Sequence, residues 1–167
     1  ATAFEAIAGH KDSADQLQES KYRQAMALIE QASYTEAYDL LAALNGYKDS
    51  SARAEAVQQK IYARDYAVAD KAEQNGNLAD ALAGFKALGS YEDSAMRADT
   101  VQQKIYARDY AAADKAELDG DYAAAFTGFI ALGGYKDSAA RAAAVQDKGN
   151  YALAMEYVMN GQFVKAY

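Results

Sequence analysis

The chain has no cysteine, no proline and no tryptophan in 167 residues, and only one histidine. Without cysteine there can be no disulfide and no thiolate metal site, and the sequence carries no redox signature of compartment. The lack of proline argues against a loop-rich β architecture and favours uninterrupted helices, since proline removes a backbone donor and clashes with the preceding turn. One histidine and no cysteine leave Cys–His and Ser–His–Asp chemistry almost without material, and zinc-binding spacings are absent. No apolar run approaches the ~18 residues that span a bilayer, so no membrane insertion is expected. No signal-peptide pattern precedes the first motif. A basic surplus is missing too. The formal net charge is -7, whereas binding nucleic acid requires cations to neutralise phosphates.

What the chain does have is alanine, 41 residues, and tyrosine, 14 residues. Alanine forms helix best because it loses no side-chain entropy on folding. The expected fold class is all-α.

Internal repetition organises the chain. His10-Lys11-Asp12-Ser13 returns as Tyr47-Lys48-Asp49-Ser50, Tyr91-Glu92-Asp93-Ser94 and Tyr135-Lys136-Asp137-Ser138, at spacings of 37, 44 and 44 residues. The eleven residues from Val57 to Ala67 recur unchanged from Val101 to Ala111. Tandem duplication of a ~44-residue unit accounts for both. The units read as 10–46, 47–90, 91–134 and a truncated 135–167, after a partial unit at 1–9. Both ends fall inside a unit, and solenoids normally carry polar capping units. The chain is therefore expected to be a fragment of a longer protein.

Each unit divides into a long and a short helix. The long one begins near Asp49, whose carboxylate is expected to cap an orphan backbone N–H, and runs about 25 residues to Gln74-Asn75-Gly76-Asn77. Short helices open at Ser33, Asn77 and Asp121, and Ser33-Tyr34-Thr35-Glu36 has the form of a capping box. They end at Leu44, Leu88 and Leu132, before Asn45-Gly46, Gly89-Ser90 and Gly133-Gly134, which tolerate a left-handed C-cap. Within them Tyr122, Ala125, Phe126 and Phe129 form one stripe, as do Leu78, Ala81, Leu82 and Phe85. Ala37, Ala81 and Ala125 share a slot where helices can approach closely. A stripe on a dozen residues cannot be a core alone, so each pair must bury against the next, which is the logic of an α-solenoid of antiparallel helix pairs. Aligned on Tyr22, Tyr66, Tyr110 and Tyr151, the first long helix lacks seven residues, close to two whole turns. The last lacks three, about 60° short of a turn, and is expected to adjust near Gly149 or to pack differently.

These features resemble the tetratricopeptide-repeat superfamily. More closely they resemble bacterial repeats with an aromatic-Lys-Asp-Ser signature, found in multidomain and surface-associated proteins of Gram-positive bacteria. The resemblance covers nearly the whole chain. Val68, Ala69, Ala81 and Phe85 sit where an aliphatic, two small residues and an aromatic are expected. Asp65 and Ala72 depart from the pattern, and Asp93 stands in place of the closing proline. The resemblance implies a right-handed superhelix, a scaffolding role in protein–protein contact, and an extracellular or cell-surface setting.

Two groups of residues are candidates for contact. On a wheel with Val57 at zero, Arg53, Lys60, Arg64 and Lys71 fall within about 40° of one another. Arg97, Lys104, Arg108 and Lys115 repeat the strip one unit later. Stacked, they would form a basic ridge suited to an acidic protein or peptide, although charge runs are commonly just solvated faces. Tyr62 and Tyr66, repeated as Tyr106 and Tyr110, lie away from the Val57, Ile61 and Val68 stripe. They either pack between units or offer aromatic contacts to a peptide or sugar. Tyr47, Tyr91 and Tyr135 read as lids on a helix start, with His10 substituting in the first copy. Asp119-Gly120-Asp121 is a turn, since no calcium-ligand series follows it. No catalytic residue, metal, cofactor or small-molecule substrate is expected. The expected function is a non-catalytic interaction scaffold, with a structural spacer or a glycan-binding module as alternatives.

Overall fold

The computed structural model describes residues 11–162. The partial unit at 1–9, the slot of His10 and the helix start expected at 163–167 lie outside the described residues. Among the described residues there are seven α-helices and no strand: α1 (Lys11–Glu30), α2 (Tyr34–Ala43), α3 (Ser50–Gln74), α4 (Leu78–Leu88), α5 (Ser94–Leu118), α6 (Tyr122–Ala131) and α7 (Ser138–Met159). The fold is all-α. Long and short helices alternate, and α3 and α5 each run 25 residues. The short helices stop where glycine or asparagine takes a left-handed conformation, with φ of 48° at Asn45, 58° at Gly89 and 56° at Gly133.

Capping differs from the expectation. Asp49, Asp93 and Asp137 do occupy N-cap positions, but none of their carboxylates accepts a backbone N–H of its own helix. Neither Ser33 nor Asn77 caps through its side chain. Asp121 does, accepting from Ala124 N at 3.0 Å. At the three aspartates the backbone conformation and a tertiary partner act together. A capping residue holds β-region dihedrals, whereas Asp49, Asp93 and Asp137 have φ near -100° and ψ of 22°, 16° and 18°. That conformation turns their carboxylates towards the preceding long helix, where each accepts a tyrosine hydroxyl, from Tyr22, Tyr66 and Tyr110 respectively.

The recurrent four-residue motif is thus a compact turn. Its second residue is left-handed, with φ of 53° at Lys48, 46° at Glu92 and 51° at Lys136, a strain of order 1 kcal/mol each. The closing serines, Ser50, Ser94 and Ser138, are fully buried. Their amides donate to Tyr47, Tyr91 and Tyr135 carbonyls at 3.0–3.1 Å.

All the substantial helix–helix contacts are between consecutive helices. Among the described residues the core is divided into three clusters. The first joins Ala25, Ala37, Leu41, Leu44, Ala54 and Val57. The second joins Ala69, Ala81, Phe85, Leu88, Ala98 and Val101. The third joins Ala113, Ala125, Phe129, Leu132, Ala142 and Val145. The small slot holds Ala37, Ala81 and Ala125, each at 0% exposure. Each middle long helix serves two clusters. α3 gives Ala54, Val57 and Ile61 to the first and Tyr62, Tyr66, Ala69 and Ala72 to the second. On the wheel these faces differ by about 100°. The expected stripe of Val57, Ile61 and Val68 is therefore not one face, and Val68 is 63% exposed.

α7 passes through Gly149 without a break. With three residues fewer and no break in the helix, Tyr151 falls about 60° from the wheel position of Tyr110. Tyr151, aligned with the half-buried Tyr110, is 69% exposed.

Close backbone approach occurs at Gly84 and Gly128, where an added Cβ would lie 2.8 Å from the Cβ of Ala69 and of Ala113. Gly128→Ala is expected to lose about 1–3 kcal/mol by overpacking. Gly134→Ala, in open space, should be neutral or slightly stabilising. Urea unfolding of the two variants checks the pair.

Candidate interaction surface

The two-faced long helix decides what becomes of the basic strip. At the N-terminal half of α3 and α5 the strip lies beside the buried face, and at the C-terminal half it lies on the opposite side. The eight strip cations are therefore not equivalent.

Arg97 is half-buried at a junction. Its Nη2 donates to Asp70 Oδ1 at 2.6 Å and Glu73 Oε2 at 2.5 Å, its Nη1 donates to the Tyr66 hydroxyl at 3.2 Å, and its guanidinium lies 4.6 Å from the Phe85 ring centroid. Lys104 donates to the other oxygen of Glu73 at 2.6 Å. The Glu73 carboxylate, only 9% exposed, is thus bridged by two cations from the next long helix. The same set recurs 44 residues on. Arg141 binds Asp114, Glu117 and Tyr110, and Lys148 binds Glu117 at 2.6 Å. These ion pairs tie one helix pair to the next, and they take Arg97 and Lys104 out of any free ridge.

Arg64 and Arg108 are exposed and, among the described residues, pair with their sequence neighbours, Asp65 at 2.9 Å and Asp109 at 2.7 Å. Lys115 reaches Asp119 at 2.5 Å and keeps 73% of its side-chain exposure. Lys71 is exposed, and Asn75 stands where Lys115 has Asp119. These four, with the exposed Val68, lie on the open side of the long helices. Arg53 pairs with Asp49 of its own helix at 2.8 Å, and Lys60 lies 5.2 Å from the Tyr34 ring centroid.

The four candidate tyrosines are packed. Tyr66 meets Phe85 and Tyr91 edge-on at 5.5 and 6.1 Å, and Tyr62 meets Tyr91 at 5.4 Å. Tyr110 repeats this with Phe129 and Tyr135 at 5.4 and 6.1 Å, and Tyr106 meets Tyr135 at 5.3 Å. Their rings are engaged between helices and are each only partly exposed.

The network partners Asp70, Glu73, Asp114, Glu117, Arg141 and Lys148 were missed by the sequence reading. A wheel treats one helix at a time, whereas these pairs span separations of 24 to 31 residues across two helices. The available signal was the Asp–x–x–Glu pattern shared by Asp70/Glu73 and Asp114/Glu117.

An open groove of about 480 Å³ runs between α6 and α7 along Tyr122, Phe126, Val145, Gly149 and Leu153. Gly149 stands where α3 and α5 carry Ile61 and Ile105, and an added Cβ there would lie 3.3 Å from the Cβ of Tyr122.

The electrostatic ties shift several groups. Hydrogen bonding to Lys104 and then Arg97 holds the Glu73 carboxyl below its usual range, and Lys148 and then Arg141 do the same for Glu117. Glu19, bound by Lys48 and then Arg23, is held down to about 2. The Tyr66 and Tyr110 hydroxyls are raised, chiefly because they donate to Asp93 and Asp137. The depressed carboxyls contribute stability that is complete above their ordinary value of 4.5 and is lost as pH falls through the folded values, for Glu19 down to about 2. The raised hydroxyls contribute stability that is complete below 10.0 and is lost as pH rises through their folded values. The urea midpoint is expected to be flat from about pH 5 to 9 and to fall on both sides. A separate check distinguishes ties from surface charges. Arg97→Met should cost about 2 kcal/mol, because it strips hydrogen bonds from a nearly buried carboxylate, whereas Arg64→Met should stay within about 0.5 kcal/mol of the parent.

Comparison of the chain with family models, with curated proteins and with solved structures gives no match.

Proposed function

We propose that this chain is a non-catalytic scaffold, an α-solenoid of ~44-residue antiparallel helix pairs, that presents the open face of its long helices to a protein or peptide of acidic character. The observation that carries this reading is the packing order. Helices pack chiefly on their chain neighbours, so the buried clusters are local and the long helices keep one side exposed from end to end. On that side stand Arg64, Lys71, Arg108 and Lys115, cations on a chain of net charge -7. Local cationic relief on an acidic molecule favours an acidic partner and disfavours nucleic acid. The carboxylates at the junctions are engaged with arginine and lysine, an arrangement suited to holding helices together. Tetratricopeptide-like architecture, the right-handed superhelix and a bacterial surface setting remain part of this proposal on resemblance. Among the described residues no helix is long and apolar enough to cross a membrane.

A spacer role is the second reading, favoured by the regular ion-pair ties across successive junctions. Sugar binding is the less favoured alternative, since Tyr62, Tyr66, Tyr106 and Tyr110 spend part of their ring surface on packing between helices.

Immobilised chain and a variant carrying Arg64→Glu, Lys71→Glu, Arg108→Glu and Lys115→Glu separate the two readings, once circular dichroism shows equal helicity. A protein retained by the parent and lost by the variant supports the scaffold. Retention of nothing by either supports the spacer.

A further inference from the structure

The first junction differs from the other two in a way that leaves two cations without their carboxylate. At the second junction Glu73 bridges Arg97 and Lys104, and at the third Glu117 bridges Arg141 and Lys148. The corresponding cations at the first junction are Arg53 and Lys60. The positions of α1 that correspond to Asp70 and Glu73 hold Met26 and Ile29. Arg53 still lies over the tyrosine of the preceding helix, 5.9 Å from the Tyr22 centroid, the same distance as Arg97 from Tyr66 and Arg141 from Tyr110. Its ion pair, however, is with Asp49 of its own helix, and Lys60 makes none among the described residues.

The junction does not go untied. Lys48 and the Tyr47 hydroxyl both donate to Glu19 of α1, an ion pair that neither later junction has, because Ala63 and Ala107 stand at the corresponding place. The bridge between α1 and α3 is therefore made elsewhere: Arg53 pairs with Asp49 of its own helix start and Lys60 lies over the Tyr34 ring, and among the described residues neither binds a carboxylate of the preceding long helix.

We propose that Arg53 and Lys60 form a subsite for a side-chain carboxylate of an acidic peptide, received in the place that Glu73 and Glu117 fill at the other junctions. This rests on the scaffold reading and names the chemistry of one contact. The internal copies supply the template: one carboxylate, one oxygen to a guanidinium and one to an ammonium. Ile29, which holds the position of Glu73, is half-buried and packed on the first cluster, so it offers Arg53 and Lys60 no carboxylate and an incoming one would lie against its apolar side chain.

The probe is the peptide acetyl-Leu-Glu-Leu-Glu-Leu-amide, with its Gln counterpart as control, titrated into the full chain. Side-chain nitrogen NMR signals of arginine and lysine are the readout. The expected result is saturable shifts at Arg53 and Lys60, absent with the Gln peptide, while Arg97 and Lys104 do not respond. Ile29→Glu should fill the site internally and weaken binding by about tenfold or more. Glu73→Ile should open a second site at Arg97 and Lys104, and Lys60→Ala should weaken binding without affecting the fold. Shifts confined to Arg64 and Arg108 would overturn the subsite and leave the scaffold reading standing. No shift anywhere would overturn the subsite, and the capture experiment then decides the scaffold reading separately. Stronger shifts with inorganic phosphate than with the peptide would overturn the carboxylate assignment.

Discussion

Each junction in this molecule turns on one tyrosine. Tyr22, Tyr66 and Tyr110 sit on successive long helices, and each donates its hydroxyl to the aspartate that starts the next long helix. Each ring also meets the aromatic residue of the following turn, Tyr47, Tyr91 or Tyr135, edge-on at 6.1–6.3 Å. An arginine one turn into the next helix lies over the ring. Burial of alanine, valine and leucine is non-directional and leaves the angle between helix pairs loosely specified. The hydroxyl–carboxylate bond and the edge-on rings are directional, and such aromatic pairs add about 0.5–1.5 kcal/mol beyond area burial. They set how one pair sits on the next.

The cost of that arrangement is a long helix with two buried faces. The first half of α3 closes the cluster behind it, and the second half opens the cluster ahead. A strip of cations that is straight on the helix is therefore divided by the packing. Arg97 and Lys104 fall beside the junction and are absorbed by Asp70 and Glu73. Arg64 and Arg108 fall on the open side. The second group, with Lys71 and Lys115, stands on the open side, and the functional proposal rests on it.

The first junction shows that the repeats are not interchangeable. Leu41 takes the place of Phe85 and Phe129, Met26 and Ile29 replace the acidic pair, and Glu19 with Lys48 carries the ion pair instead. The clamp is rebuilt from different residues at the same interface. Arg53 and Lys60 persist there without the carboxylate that their counterparts bind, Arg53 paired instead with Asp49 and Lys60 set over the Tyr34 ring.

The amino-acid sequence alone determined the helical class, the lengths of α3 and α5, the alanine slot and the position of every turn, because these depend on interactions within a few residues: propensity, 3.6-residue periodicity and left-handed stop positions. It also showed that the Tyr–x–Asp–Ser segments begin helices. It did not show that their aspartates leave the backbone uncapped, since a distant hydroxyl competes for each carboxylate. Nor could it show that Val68 is exposed while Tyr66 is packed, or which cations of a single strip are free. Those outcomes depend on what the neighbouring helix places opposite, at separations of 24 to 31 residues. One helix's wheel holds no information about its neighbour's side chains, so only the tertiary structure decided between clamp and surface.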